Sequence, residues 1–175
     1  MKMQDKGKLR TTFKIARYAS DEDKQKRVIY SKEEALRLFG IEQFTEFEKN
    51  LFLNEGINEL WTILCSAGGT KFDNSNAYTG VGDSATAADA TQTGLQAAVN
   101  KLYKAMEAGF PTYGTSQKAT WKSSFGSAEA NFAWNEFTVA NGNSDAAKNL
   151  NRKVSAQGTK TSGQTWELTI ELSIS

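Results

Sequence analysis

Several groups of residues in this chain have the types and spacings that chemistry requires. The stretch N-A-Y-T-G-V-G-D-S-A-T-A-A-D-A-T-Q-T-G-L, Asn76 to Leu95, mixes glycines, aspartates and hydroxyls of the kind that cradle phosphates or metals. Gly80 and Gly82 begin a G-x-G, but position 85 is Ala85, and Thr86 to Thr93 lacks the amphipathic pattern of the helix that a dinucleotide fingerprint needs. Gly158-Thr159-Lys160-Thr161 has the residues of a phosphate loop without the G-x-x-x-x-G-K-S/T spacing. Asp73, Asp83 and Asp89 offer oxygen ligands to a hard cation, yet lack the tight D-x-D/N-x-D/N-G order with a distal Glu. Glu129 and Glu136 are the carboxylate pair that sugar cleavage would use, but seven residues along a continuous strand put them on opposite faces. A buried hydrogen bond or a capped turn is the simpler reading of Glu136 in F-A-W-N-E-F. Cys65 has no histidine to activate it and no second cysteine to pair with, so it reads as a small core hydrophobe.

Composition narrows the function classes further. The chain has 175 residues, enough for one compact domain that buries about two-thirds of its unfolded surface. It has no histidine, the commonest general base and transition-metal ligand, which weighs against an enzyme. With one cysteine, neither a disulfide framework nor a multi-cysteine metal site is available. Met1 to Tyr18 is basic and polar without an apolar core, and no run approaches the length of a membrane span, so the expectation is a soluble intracellular protein without a signal peptide. A net charge of +1 is too balanced for a whole-protein polyanion binder, and nucleic acid is not an expected partner.

The elements that must position these residues fall into three segments. Residues 1–18 carry Lys2, Lys6, Lys8, Arg10, Lys14 and Arg17 against only Asp5, and read either as a basic arm or as an edge strand guarded by lysines. Residues 19–69 contain a charged run, D-E-D-K-Q-K-R, read as a solvated loop or hairpin tip, and two short helices. Ser31 with Glu34 makes a capping-box signature, and Gly40 ends that first helix. Ile57, Leu60, Trp61 and Leu64 recur at helical spacing in the second, with Asn54 as N-cap; the stripe reads as a core face. Residues 70–175 turn to Gly, Ser, Thr, Asn and Ala between short apolar runs, the grammar of an antiparallel β domain.

Trp166, Leu168, Ile170, Leu172 and Ile174 alternate with polar residues in the clearest strand. Phe132 to Val139 and Leu150 to Val154 are further strands, and Leu95 to Met106 reads as a strand that a helix pattern also fits. The fold expected is mainly β, an antiparallel sandwich or barrel with one or two short helices in the N-terminal half.

An ordered set of motifs then resembles a known family. N-A-Y-T-G-V-G-D-S-A-T-A at Asn76 to Ala87, Q-T-G-L at Gln92 to Leu95, M-E-A-G-F-P at Met106 to Pro111, A-N-F-A-W-N-E at Ala130 to Glu136, N-R-K-V at Asn151 to Val154 and the final G-T-K and W-E-L-T are similar to small virion structural proteins of tailed bacteriophages. With the preceding N-L-F-L-N-E-G-I-N-E-L-W, the resemblance spans much of the chain. It implies no catalytic residue, no cofactor and no metal.

The function this implies is a non-enzymatic virion component assembled in the host cytoplasm, an auxiliary head protein that decorates or cements the capsid. Its partners would be the major capsid protein or tail proteins, with self-association and no membrane. A tail, baseplate or fibre component is the alternative within that class. A carbohydrate- or metal-binding β module is the alternative outside it, with Trp121, Trp134 and Trp166 as an exposed stacking platform. The interface residues expected are Lys2, Lys6, Lys8, Arg10, Gly80, Gly82, Asp83 and Ser84. In that reading the two glycines permit tight backbone excursions of a shaped loop, and Asp83 and Ser84 bond backbone amides.

Overall fold

The structure, a computed structural model, describes residues 9–174. In chain order its elements are β1 (Leu9–Tyr18), α1 (Asp21–Lys26), α2 (Lys32–Phe39), β2 (Phe44–Glu48), β3 (Leu51–Phe52), α3 (Asn54–Cys65), β4 (Tyr78–Gly82), β5 (Lys101–Ala105), β6 (Thr112–Thr115), β7 (Lys118–Phe125), β8 (Glu136–Ala140), β9 (Asn151–Val154) and β10 (Thr165–Ile174). The strands build two five-stranded antiparallel sheets, ordered β2-β1-β10-β7-β6 and β3-β9-β8-β4-β5. None of the described helices is long and apolar enough to cross a membrane.

Strand alternation makes the core. Phe13 and Ile15 of β1, Trp121 and Phe125 of β7, and Trp166, Leu168 and Ile170 of β10 cluster with Val81 of β4 and Phe137 and Val139 of β8. Aromatic rings bridge the two sheets: Phe13 and Phe137 lie 6.2 Å apart, and Trp134 packs edge-on against Trp166 at 4.9 Å. The arrangement is the mainly β sandwich, with its helices in the N-terminal half, that the strand grammar predicts.

Several local expectations are corrected. β1 takes β10 on one side and β2 on the other, so it is an interior strand rather than an edge. Lys2, Lys6 and Lys8 lie outside the described residues. The D-E-D-K-Q-K-R run is helical: Ser20 Oγ accepts the Asp23 amide, acidic residues fill the first turn and lysines the last, and Arg27 closes the helix at φ 53°. That charge order suits the helix macrodipole, which the hydrophilicity of the run conceals. α2 starts at the Ser31 cap and stops at Gly40, φ 69°, as the sequence predicts. In α3 it is Leu53 that occupies the cap position, without a side-chain bond, and Asn54 is the first helical residue.

The strand predicted across Leu95 to Met106 shrinks to Lys101–Ala105. The one predicted from Phe132 begins only at Glu136. Before it, the Trp134 amide donates to Gly158 O and the Trp134 carbonyl accepts the Gln157 amide, so this segment pairs with a loop instead of a strand.

β10 is the sheet partner of both β1 and β7, and Leu168 is fully buried within it. Leu168→Ala should therefore cost about 2–5 kcal/mol through lost transfer energy and a residual cavity. Ile174→Ala, at an exposed strand end, should stay within about 0.5 kcal/mol. Urea unfolding of both variants measures this, and equal midpoints would contradict the placement of β10.

Candidate functional site

The stretch rich in glycine and aspartate does not form an open loop where the expectation put one. Gly80 and Gly82 belong to β4, an interior strand paired with β5 and β8, and both are buried. Neither has a positive φ. What they provide is close approach: a Cβ on Gly80 would sit 2.6 Å from Thr138 Cγ2 and 3.0 Å from the Tyr103 ring, and one on Gly82 would overlap the Glu136 carboxylate. Bare backbone lets the Tyr103 ring and the Glu136 carboxylate lie flat on the outer face of the second sheet.

Residues 83–100 then cross over that face. Asp83 closes the segment: its amide donates to Asn100 O at 3.1 Å and its carboxylate accepts Asn100 Nδ2 at 2.7 Å. The partner of the carboxylate is thus a side chain, where a backbone amide was expected. Ser84 Oγ accepts the Thr86 amide at 3.2 Å, the hydroxyl turn that was expected.

Beneath the segment lies a buried charge pair. Arg152 Nε donates to Glu136 Oε2 at 2.7 Å, and neither side chain is exposed to solvent. Glu136 also accepts the amides of Gln96 and Ala97 at 2.9 and 2.7 Å, while Arg152 Nη1 donates to Gln92 Oε1. Next to it Tyr103 OH donates to Asp145 Oδ1 at 2.6 Å and accepts the Leu95 amide, and burial followed by the Asp145 carboxylate pushes the phenol far up. Three N–H donors hold the Glu136 carboxylate beneath a covering peptide, so it has no free edge for a substrate proton or a sugar oxygen.

The remaining candidates are committed in the same way. Glu129 accepts the Gly126 amide and pairs with Lys104. Asp73 accepts the Ser75 and Asn76 amides, and Asp89 accepts the amide and hydroxyl of Thr91, whose bonds hold its carboxyl below the usual range. Each aspartate closes its own turn, and among the described residues no group of three His, Cys, Asp or Glu is placed to hold a metal ion.

Lys160 does not face a phosphate site. Its buried Nζ donates to Gly126 O and Asn131 Oδ1, both at 2.8 Å, and burial lowers it to about 8 against the pull of Glu129 and Asp21. Arg17, also buried, donates to Glu42 O, Thr45 Oγ1 and Gln157 O and stacks 4.6 Å over Trp166. Burial lowers it to about 10. Arg10 is solvent-facing and paired with Glu48.

The three tryptophans of the proposed sugar platform form no exposed row. Trp121, Trp134 and Trp166 are buried, and their ring N–H groups donate to Phe72 O, Ala130 O and Gln164 Oε1. Trp61 is the reverse case. The Ile57, Leu60, Trp61, Leu64 stripe of α3 faces solvent instead of the core, with Trp61 59% and Leu64 74% exposed, and Cys65 is exposed beside it.

Gly56 decides this orientation. A Cβ there would overlap Leu150 Cα, so the helix backbone lies directly on the chain at Leu150. Glu55 accepts the Gly94 and Asn149 amides, and Glu59 accepts the Thr70 amide and Asn141 Nδ2. Periodicity found the helix but not the side it docks on. The signals available were the glycine and the two glutamates, which share one flank of the helix.

The chain matches no family model, no curated protein and no solved structure.

Glu136→Gln should cost about 3–5 kcal/mol by leaving Arg152 buried without its counter-charge, and Arg152→Met in the same chain should recover part of it. A double-mutant cycle in urea reads this, and a single-variant cost under about 1 kcal/mol would refute the pair's importance.

Lys160 carries a pH signature. Between about 8 and the ordinary 10.5 the unfolded chain holds a proton that the folded chain releases, so stability rises with pH across that window. In Lys160→Met this increment should be missing, and parallel curves for the two proteins would count against the buried amine.

Proposed function

We propose that this protein is a non-enzymatic structural component of a tailed-phage virion, an auxiliary head protein that decorates or cements the capsid. The sequence motifs that resemble phage virion proteins motivate the reading. The observation that carries it is that the side chains suited to chemistry, Glu136, Glu129, Asp73, Asp89, Lys160 and the three core tryptophans, are occupied by bonds within the fold. On this reading the fold offers surfaces to other proteins rather than a reaction site.

The interface expected at Arg10, Gly80, Gly82, Asp83 and Ser84 narrows on this geometry. Gly80 and Gly82 lie under the chain's own cover, whereas Arg10 is exposed and Asp83 and Ser84 are half-buried at the sheet margin. Contact with a capsid neighbour through this region would therefore use the 83–100 segment and not the glycines.

Purified particles from the phage that encodes this chain test the reading. The protein should co-purify in many copies per particle and remain with DNA-filled heads when heads and tails are separated. Recovery only with tails would move it to the tail, baseplate or fibre, and absence from particles would overturn the proposal.

A further inference from the structure

The apolar stripe of α3 is a solvent-facing feature that the internal bonding leaves without a role. Ile57, Leu60, Trp61 and Leu64 are 37%, 39%, 59% and 74% exposed. The only charged residues of the helix, Glu55 and Glu59, turn to the protein's own amides, so the outer face carries no charge at all. This inverts the usual surface helix, which turns its charges outward.

We propose that this face is an antiparallel helix-to-helix interface between two copies of this chain. The area fits. Side chains of these types at these exposures present on the order of 400 Å² of apolar surface, near the size of the largest patch on a typical monomer. Two copies would bury on the order of 800 Å². A standard interface of about 1,200–2,000 Å² is a little over half apolar, so this supplies the apolar part of one.

The chemistry fits a second copy better than other occupants. A two-fold axis sets each residue near its own counterpart, where any charge would face itself, and this face has none. The i, i+3, i+4, i+7 stripe is the ridge that packs against an equivalent ridge across a helix pair. An anionic lipid surface would call for Lys or Arg on the helix, and Asn54–Cys65 contains neither. A strongly charged partner would find no counter-charge. Trp61, central in the stripe, is the residue type that dominates such contacts.

Cys65, the chain's single cysteine, supplies the probe. In an antiparallel pair crossing at Trp61, the two thiols lie four residues either side of the crossing, about 12 Å apart along the axes. A bis-maleimide of that reach should give a covalent dimer from the purified protein. Sedimentation velocity over a concentration series should show a dimer, and Trp61→Glu and Leu64→Lys should each weaken it at least about 30-fold. Both positions are solvent-facing in the protomer, so far-UV circular dichroism should not change, and any fall in melting temperature should vanish at concentrations where the parent protein is monomeric.

A protein monomeric at all concentrations overturns the proposal, as does an oligomer that persists in both variants with unchanged cross-linking. Neither result bears on whether the protein is found in particles, so failure here and failure of the virion reading are separable.

Discussion

The ladder between β1 and β10 is the interaction on which the rest of the molecule depends. Ten residues of each strand pair in unbroken antiparallel register, from Leu9 opposite Ile174 to Tyr18 opposite Thr165. Each of these strands then carries a neighbour, β2 on β1 and β7 on β10, so the pairing seeds nearly all of the first sheet. Its inward face supplies Phe13, Ile15, Trp166, Leu168 and Ile170, against which the second sheet packs. Because the partners stand at opposite ends of the described chain, this closure carries a loop-entropy cost, which burial of that face offsets.

The second sheet encloses polar groups, and their bonding needs shape the chain around them. Glu136, Thr138, Arg152 and Tyr103 leave its outer face rich in buried donors and acceptors, which would each be costly if left unpaired. Residues 83–100 meet that need with the amides of Leu95, Gln96 and Ala97 and the side chain of Gln92. The covering segment is thus held by specific bonds together with the buried side chains of Leu95 and Ala97. The bonds that fix the segment also occupy the Glu136 carboxylate.

The first sheet manages its outer charges differently. Glu167 of β10 lies among Lys24 and Arg27 from the α1 region and Lys122 of β7, and Glu107 pairs with two of the same cations. Glu167 is itself buried and its cations reach it from the solvent side, so the network ties α1 to the sheet across a partly screened boundary. Helix α3 is attached by other means. Where α1 is tied down through charges, α3 is tied down through a glycine, two glutamates and Ile63, which packs against the core, while Ile57, Leu60, Trp61 and Leu64 are left outward.

Much of this protein is determined by sequence alone, wherever the deciding forces are local. The alternation of Trp166 to Ile174, the Ser31 cap and Gly40 stop, and the lack of a complete dinucleotide, phosphate-loop or cation-loop motif all follow from residue types and short spacings. The mainly β class follows from the same information, because strand period and turn chemistry act over a few residues. Tertiary structure decided the rest. Gly80 and Gly82 look like loop glycines until Tyr103 and Glu136 are seen lying across them, and the buried hydrogen bond expected of Glu136 gains its partner only when Arg152, sixteen residues on, is brought beside it. Helical periodicity identifies the Ile57 to Leu64 stripe, but a period says only that a face exists. Which face turns inward is settled by what the helix meets, here the chain at Leu150 beneath Gly56, and that meeting belongs to the fold as a whole.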